Sequence, residues 1–461
     1  MLSALSIKRP RILVILVPIN LILIICLLGY INEVSVESYL RPVSVKSLTS
    51  KFDFSYLSNK TSANVDTFKQ YGYQIKPKNV KFQYLNSKNK DGEPKQVLDM
   101  NTDTYEKVVQ KEINEPKDYD IESIRPPENI DTYARANATI VALVRNTEIT
   151  KIGRTIKRFE SSFNSKFNYP YTFINDQPFS DRFKKRMAKF TKAKINFVTI
   201  PAELWDKPSS IDGERETAAM DVMKDHNIAY AKMGSYHNMC RFYLGNFYNV
   251  PELTKYKYYW RIEPDVDFYT DIKYDVFKYL EGTGKIYGFT INLYDIDESV
   301  ATLWPETLRY LNSGDNYKYI DPNGAFQWLL ENKQNPKKNV VTGGYSTCHF
   351  WSNFEIGDMD FFRGEAYNNW FKFLDSTGKF YYERWGDAPV HSMGLALFAD
   401  RDKIHWFRDI GYNHDPYHNC PNSPNTQGCK TASFSRWNHL KDQNCMGTWI
   451  DQAMDDPDKI Y

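Results

Sequence analysis

The sequence lacks an excess of charge of either sign. Its 59 Lys and Arg residues are balanced by 57 Asp and Glu residues, for a net charge of +2 over 461 residues. Proteins that bind nucleic acid usually carry a basic excess or a basic stripe. We therefore expect no nucleic-acid partner.

Several short motifs are also missing. No Cys-x-x-Cys pair or Cys/His finger spacing occurs, so a structural zinc site is not expected. No Gly-x-Gly-x-x-Gly or Gly-x-x-x-x-Gly-Lys-Ser/Thr loop follows a predicted strand, so neither a dinucleotide fold nor a phosphate-loop ATPase is supported.

The N-terminal apolar stretch is not followed by a cleavage site of small residues. Residues 12–31 are apolar apart from Asn20, include Pro18, and follow a basic flank. About 20 apolar residues cross a bilayer as a helix, and a basic flank stays cytoplasmic. A cleaved signal peptide is the alternative. The predicted order is a cytoplasmic tail (1–11), a transmembrane signal anchor (12–31), a stem (32–133) and a lumenal catalytic domain (134–461).

Cysteine is scarce, with six residues in the whole chain. Cys26 falls in the predicted span and leaves an odd number beyond it, so at least one thiol is free or bonds another chain. Cys240 and Cys348 are expected to be small buried side chains. The best candidates for disulfide bonds in an oxidising lumen are three cysteines of the loop-rich C-terminal part, Cys420, Cys429 and Cys445.

Strand-like and helix-like segments alternate from residue 138 onward. The apolar run 139–144 is typical of a strand buried on both faces, and 147–163 has helical spacing of its apolar residues. Residues 311–342 are predicted to form a mostly irregular insertion. Further strands are predicted at 171–174, 195–200, 256–262, 286–293 and 403–407, and further helices near Ser180, Tyr236, Asp358 and Asp387. This order predicts an α/β fold with a mixed, mainly parallel sheet flanked by helices.

Two acids follow a predicted strand in Glu263-Pro264-Asp265. Ligands of open α/β sheets bind beyond the carboxyl ends of the strands, and carboxylates there can hold a divalent cation. A turn with two solvated acids is an equally good explanation of the spacing. His414, in a Gly-Tyr-Asn-His-Asp-Pro turn, is a possible further ligand, and a mixed set of imidazole and carboxylate suits Mn²⁺.

Glu355 lies in a segment that carries three aromatic rings and the amide of Asn353. A buried carboxylate needs partners, because an unpaired buried charge is costly. Glu355 is therefore either hydrogen-bonded within the architecture or part of a pocket for a polar ligand. Aromatic walls such as Trp351 with a few polar groups are typical of sugar sites.

These residues belong to blocks that resemble fungal KTR-type α-1,2-mannosyltransferases, glycosyltransferase family 15. One block is Tyr-x-x-Cys-His-Phe-Trp-Ser-Asn-Phe-Glu-Ile at 345–356. The other blocks lie at 236–242, 260–266, 380–392, 409–416 and 419–421, and the resemblance covers about residues 135–425.

The resemblance implies a GT-A fold, GDP-mannose as donor, Mn²⁺ as cofactor and retention of the anomeric configuration. It also implies a single-pass type II protein of the Golgi membrane that acts on mannosyl glycan acceptors. The implied roles are catalytic for Glu355, as the proposed nucleophile, and for Tyr236, near donor and acceptor, and metal binding for Glu263 and His414. Tyr236 also fits the apolar stripe of its own helix. The predicted substrate-binding residues are Arg145, Asp265, Trp351, Asn353 and Asp387.

Some alternatives stay open at this point. Glu355 could act as a nucleophile, stabilise positive charge or hold an acceptor hydroxyl. Transfer of mannosyl phosphate, or a non-catalytic role as a lectin-like or scaffold subunit of a mannosyltransferase complex, are the other functions considered. The insertion at 311–342 leaves the choice of acceptor undecided.

Overall fold

The computed structural model describes residues 94–331 and 336–461, all within one compact unit of the chain. The predicted tail, the signal anchor and most of the predicted stem lie outside the described residues. In the described part, no helix combines the length and the apolar character needed to cross a membrane.

The strands of the described residues are short, and seven of the twelve have only two or three residues. In chain order they are β1 (Ala138–Leu143), β2 (Tyr171–Asn175), β3 (Ile195–Thr199), β4 (Tyr258–Arg261), β5 (Asp267–Phe268), β6 (Tyr287–Phe289), β7 (Asn292–Tyr294), β8 (Cys348–Phe350), β9 (Glu355–Asp358), β10 (Ile404–Trp406), β11 (Tyr412–His414) and β12 (Tyr417–Asn419).

The α-helices alternate with these strands. They are α1 (Pro94–Val109), α2 (Ile149–Phe159), α3 (Ser165–Phe167), α4 (Asp181–Met187), α5 (Ala202–Trp205), α6 (Gly213–Asp225), α7 (Gly234–Arg241), α8 (Val276–Thr283), α9 (Leu303–Asn312), α10 (Phe326–Leu329), α11 (Pro336–Val341), α12 (Met359–Arg363), α13 (Glu365–Ser376), α14 (Lys379–Tyr382), α15 (Asp387–Phe398) and α16 (Met446–Ala453).

The main sheet has seven strands in the order β10-β6-β9-β4-β1-β2-β3. The pairs β4–β1, β1–β2, β2–β3 and β10–β6 are parallel, whereas β9 runs antiparallel to both of its neighbours. The sheet is therefore mixed and mainly parallel, as the sequence predicts. A three-stranded sheet, β12-β11-β5, and a two-stranded antiparallel sheet, β7-β8, complete the named strand pairs.

The apolar patterns of the sequence explain these elements. Ile140 and Val141 in β1 have no exposed surface, as expected for a strand covered on both faces. Helix α2 buries Ile152, Ile156 and Phe159 on one side while its Lys and Arg residues stay outside. Its continuation, 160–164, is a π-helical turn.

Two predicted segments differ from the structure. The run 286–293 is not one strand but β6 and β7, which belong to different sheets and are separated by the buried residues Thr290 and Ile291. In the described part of 311–342, α10, α11 and a 3₁₀ turn at Asn316–Tyr319 replace the irregular insertion, with Trp328 and Leu329 buried.

The cysteine prediction is corrected in one respect. Cys348 bonds Cys445, and Cys420 bonds Cys429, whereas Cys240 is a buried free thiol. The buried position of Cys348 was anticipated, but its pairing was not. The bond joins β8 to the residue before α16, which are 97 positions apart in the sequence.

Part of the predicted stem packs against this domain. Tyr105, Val108 and Val109 of α1 are buried, and so are Ile121 and Ile124. The backbone N–H of Lys117 donates to the carbonyl of Ile460 at 2.6 Å, so residues near both ends of the described chain meet.

Candidate functional site

The site lies where β4 ends and β9 begins. Arg261, the last residue of β4, is paired across the antiparallel strands with Glu355, the first residue of β9. The end of β1 lies beside β4 in parallel register. Residues that follow β1 and β4 and residues that precede β9 therefore meet at the sheet edge where open α/β sheets bind ligands.

Arg261 is the buried cation of the site, with 3% of its side chain exposed. Its Nε and Nη2 donate to Oε1 of Glu263 at 3.0 and 2.5 Å. Its Nη1 donates to Oδ2 of Asp387 at 2.5 Å and lies 3.5 Å from Oε1 of Glu355. The guanidinium also lies over the ring of Tyr243, 3.6 Å from its centroid. One buried cation thus compensates three carboxylates.

Glu355 has no exposed surface. Its Oε2 accepts a hydrogen bond from the Tyr287 hydroxyl and lies at the same distance, 3.1 Å, from Nδ1 of His391. Nε2 of His391 in turn lies 2.7 Å from the Tyr248 hydroxyl. Burial and the nearby Glu355 charge raise the pKa of Tyr287 well above its usual value, so Tyr287 remains a donor. The contacts of Glu355 are those of a carboxylate hydrogen-bonded within the architecture.

Asp387 is the first residue of α15 and is buried. The sequence predicts that it caps this helix, but Gly386 occupies the capping position and the carboxylate turns to Arg261 and to the Ser352 hydroxyl, 2.8 Å away. Burial acts to raise the pKa of Asp387, but the Arg261 charge outweighs it and the net pKa is lowered. Asp387 is therefore ionised at neutral pH.

The predicted metal ligands Glu263 and His414 come together. Oε2 of Glu263 lies 4.0 Å from Nε2 of His414, and the two side chains are 27% and 31% exposed. Arg261 occupies the other Glu263 oxygen, so Oε2 is left for a ligand. The His414 ring packs edge to face on Trp351 at 5.0 Å.

This pair fits a divalent cation that takes its remaining ligands from a diphosphate and water, as Mg²⁺-like ions do at nucleotide sites. One carboxylate oxygen and one imidazole nitrogen match the mixed donors that Mn²⁺ accepts. Within 94–331 and 336–461 no cluster of three or more His, Cys, Asp or Glu side chains has metal-binding geometry. The protein alone therefore supplies an incomplete coordination shell, which a bound diphosphate would complete.

Asp265 does not join Glu263. Its backbone has a φ of +64°, and its carboxylate pairs with Lys151 at 3.1 Å and Arg154 at 2.5 Å, both on α2. Burial acts to raise the pKa of Asp265, but these two cations lower it overall. The Glu-Pro-Asp turn thus sends its two acids in different directions, and Asp265 is not placed to share a metal with Glu263.

Tyr236 lies on α7 at the other end of the site. Its ring stacks on Tyr230 with centroids 4.8 Å apart, and Nη1 of Arg384 lies 3.4 Å from its hydroxyl. Arg384 is held by Asp295 at 3.0 Å and by the Ser299 hydroxyl at 2.9 Å. Burial raises the pKa of Tyr236 well above its usual value, so the phenol stays protonated.

A continuous set of contacts joins Tyr236 to the Glu263–His414 pair. Cys240, one turn along α7 from Tyr236, lies with its Sγ 3.8 Å from Asp387, which contacts Arg261 and through it Glu263. The structure thus brings together most of the residues that the sequence singled out.

The three remaining residues predicted to bind substrate differ in how far they are exposed. Trp351 is half-buried and forms a wall between His414 and Tyr417, whose ring lies 5.2 Å away. Asn353 is buried, and its side-chain oxygen accepts from the Tyr412 hydroxyl at 3.0 Å. Arg145 is exposed beyond the end of β1, with its backbone N–H donating to Glu148 at 2.9 Å.

Four residues of the site were not singled out from the sequence, namely Arg261, His391, Tyr287 and Arg384. Arg261 carried a signal that could have found it, because it lies between the buried residues Trp260 and Ile262 at the end of a buried strand. A charged residue at such a position needs an anionic partner. The identity of that partner carried no local signal, since Asp387 lies 126 residues away.

A mixed, mainly parallel sheet with an acid–histidine pair beyond a strand end, walled by aromatic rings, is the arrangement expected of a nucleotide-sugar-dependent transferase. Residues 95–454 match the family described as glycolipid 2-alpha-mannosyltransferase. The chain belongs to this family of mannosyltransferases.

The names of individual relatives agree with this family. The chain is 47% identical over 369 residues to the probable mannosyltransferase KTR4 of Saccharomyces cerevisiae, covering 78% of each chain. It is 41% identical to glycolipid 2-alpha-mannosyltransferase 1 of Candida albicans over 64% of this chain and 66% of that one.

Solved structures show the same fold. The mannosyltransferase Ktr4p from S. cerevisiae in complex with GDP matches with a TM-score of 0.79 at 43% identity, over 89% of this chain and 100% of that one. Core-mannan synthase A from Aspergillus fumigatus, in an Mn/GDP form, matches with a TM-score of 0.69 at 48% identity, over 71% of this chain and 88% of that one. The mixed, mainly parallel α/β fold and the family predicted from the sequence are confirmed.

Proposed function

We propose that the protein is a retaining mannosyltransferase that transfers α-mannose from GDP-mannose to a mannosyl acceptor on N- or O-linked glycans, forming an α-1,2 linkage. The observation that carries this proposal is the Glu263–His414 pair at the end of β4, in a chain that matches a GDP-bound mannosyltransferase structure along 89% of its length. The Mn/GDP form of the Aspergillus relative supports Mn²⁺ as the cofactor. The fold is proposed to be of the GT-A type.

Glu263 and His414 would hold the cation, and Arg261 fixes Glu263 by occupying its other oxygen. When bound, Mn²⁺ neutralises the charge of the departing diphosphate. Trp351 forms a wall beside His414. Tyr236, protonated and contacted by Arg384, offers a hydroxyl at the opposite end of the site.

Retention requires either two inversions through a carboxylate or a front-face reaction. A nucleophile must contact the anomeric carbon, and Glu355 has no exposed surface. Its burial supports a role through its field, because a buried charge is screened less than one in water. We therefore favour Glu355 as a group that stabilises developing positive charge and orients its neighbours.

The proposal is tested with the purified protein, GDP-mannose, Mn²⁺ and methyl α-mannoside, followed by mass and linkage analysis of the product. The expected product is heavier by one hexosyl group and carries an α-1,2 bond. A product heavier by a hexosyl phosphate identifies mannosyl phosphate transfer instead. Binding of GDP with no transfer to any mannoside supports a non-catalytic subunit.

We further propose that the protein is a single-pass type II protein of the Golgi membrane with its catalytic domain in the lumen. The basic flank before residues 12–31 motivates this topology. Protease added to sealed vesicles should leave the bulk of the chain intact, and alkaline carbonate should leave it membrane-bound. Complete release by carbonate would reject the anchor.

A further inference from the structure

Tyr230 is an aromatic side chain with an unusual backbone and an unusual exposure. It lies between α6 and α7 with a φ of +62° and has 57% of its surface exposed. A bulky residue rarely adopts this left-handed conformation, which Gly or Asn accept more easily. Strained residues of this kind persist where the surrounding structure fixes them, often at ligand sites.

The backbone around Tyr230 is firmly held. The carbonyl of Ala231, the next residue, lies 2.9 Å from Nε2 of the buried His237, whose Nδ1 is 2.6 Å from the carbonyl of Phe380. Ile228 and Ala231 are buried in a small cluster with Met223. The ring of Tyr230 is therefore presented from a fixed backbone.

One face of the Tyr230 ring is covered and the other is available. The ring stacks on Tyr236 with an interplanar angle of 14° and a centroid distance of 4.8 Å. With more than half of the side chain exposed, the face away from Tyr236 is open to a ligand. Val222 and Met233 lie nearby in the chain and are also exposed, at 43% and 48%.

The position of Tyr230 in the site indicates which ligand it would meet. Glu263 and His414, the residues suited to the metal and diphosphate, are at one end of the set of contacts that runs through Arg261, Asp387 and Cys240. Tyr236 and Tyr230 are at the opposite end. A donor anchored by its diphosphate places its sugar between these ends, so a second sugar beyond it would be the acceptor.

We propose that the exposed face of Tyr230 is a stacking platform for a pyranose ring of the mannosyl acceptor. Sugar rings present apolar C–H faces that pack on aromatic walls, while their hydroxyls meet polar groups such as those around Tyr236. The inference rests on the proposed function, because it assumes a glycan acceptor. It adds a residue outside the sequence blocks to acceptor recognition.

The test compares the wild-type protein with Tyr230→Gly and Tyr230→Trp. Glycine removes the ring and suits the positive φ, so the melting temperature should not fall. With saturating GDP-mannose and Mn²⁺, the KM for an α-mannobioside should rise about five- to tenfold in Tyr230→Gly, the order expected for one stacked ring, while kcat stays within about twofold. Tyr230→Trp should restore the KM, and Val222→Ala should leave it unchanged.

An unchanged acceptor KM in Tyr230→Gly overturns the proposal. If kcat falls in that variant while KM stays unchanged, Tyr230 acts only by holding Tyr236. Acceptor binding is also measured by saturation-transfer NMR without turnover. A wild-type protein that binds the mannobioside through Tyr230 but transfers nothing would refute the proposed function and leave the platform standing.

Discussion

At the residue scale, Arg261 determines how the charges of the site are arranged. Three carboxylates lie around it, and two of them, Asp387 and Glu355, are buried. Removing one partner of a buried ion pair is costly, because the other charges are then left uncompensated. The planar guanidinium bonds Glu263 through two nitrogens and Asp387 through the third, a geometry that an ammonium group does not reproduce.

We expect Arg261→Lys to weaken Mn²⁺ binding in the presence of GDP by about 10- to 100-fold, as for other groups that orient a metal ligand. The reason is that Oε1 of Glu263 loses its two-nitrogen contact and the carboxylate is free to rotate. Free Mn²⁺ is measured by electron paramagnetic resonance. Arg154→Lys, which alters the Asp265 pair, is the matched control and should leave the affinity unchanged. An affinity within twofold of wild type in Arg261→Lys contradicts this role.

Glu355→Gln tests the charge of the buried carboxylate. Turnover should fall by a factor on the order of 100 or more. GDP binding should change little, because the predicted metal ligands Glu263 and His414 are intact. A rise in the acceptor KM with normal turnover at saturation would indicate that Glu355 binds the acceptor instead. Joint loss of thermal stability and GDP affinity would indicate a structural role.

The nucleophile and the electrostatic roles of Glu355 are separated by mass spectrometry after incubation with donor alone. A covalent adduct of one hexosyl group on the peptide containing Glu355 identifies the nucleophile, and we expect none. Glu306→Gln is the control for the turnover measurement on Glu355→Gln. Glu306 is also buried, and its carboxylate pairs with Lys379 at a distance of 2.8 Å. The control variant should lose stability without a specific loss of turnover.

At the scale of elements, strong local patterns predicted the structure well. The apolar runs of β1 and β2 and the periodicity of α2 gave the correct elements because each buries a regular face. The run 286–293 failed because a continuous apolar stretch does not show where the chain leaves one sheet for another. Four-residue helices such as α10 failed because they are shorter than the window in which periodicity is visible.

The site was predictable to a similar extent. Glu263 and Glu355, whose chemistry is visible within one short segment, were singled out from the sequence, and both lie beside Arg261. Contacts between distant segments were not, and Cys348–Cys445 is an example, since its closure depends on α16 packing against the sheet. Spacing in the sequence favoured the cysteines that lie closest together.

The two disulfides should contribute unequally to stability. In the chain-entropy picture, closing a 97-residue loop stabilises the folded state by about 4.7 kcal/mol and closing a 9-residue loop by about 2.6 kcal/mol. Cys348→Ser/Cys445→Ser should therefore lower the melting temperature more than the matched pair Cys420→Ser/Cys429→Ser. Equal losses, measured by calorimetry under identical buffer conditions, would mean that local packing and not loop closure determines the effect.

At the scale of the whole molecule, the C-terminal residues of the described chain pack against the segment 401–409. Arg401 pairs with Asp455 at 2.9 Å, and the Tyr461 hydroxyl donates to Asp409 at 2.7 Å. The Tyr274 hydroxyl also donates to Asp409, at 2.9 Å. The family match, 95–454, spans nearly the same extent. The catalytic fold therefore depends on segments far from the site in sequence.

The buried Asp409 makes the stability of the fold depend on pH. Burial raises its pKa to about 6, with the two tyrosine hydroxyls acting in the opposite direction. An unfolded Asp has a pKa near ~3.9. Because the folded pKa is the higher one, the folded state binds the proton more tightly. The stabilisation is fully present below about pH 4 and is lost as the pH rises to about 6, at roughly 1.4 kcal/mol per pH unit.

Asp409→Asn removes this titration while keeping an oxygen that accepts from the tyrosines. The free energy of unfolding of the variant relative to wild type should therefore increase by about 2–3 kcal/mol between pH 4 and pH 7, because only the wild type loses stability in that range. Urea unfolding at several pH values measures the difference. Asp458→Asn, which alters an exposed pair with Lys111, serves as the control. A difference between Asp409→Asn and wild type that stays constant across this range would show that Asp409 is ionised in the folded protein and that the tyrosine hydroxyls outweigh its burial.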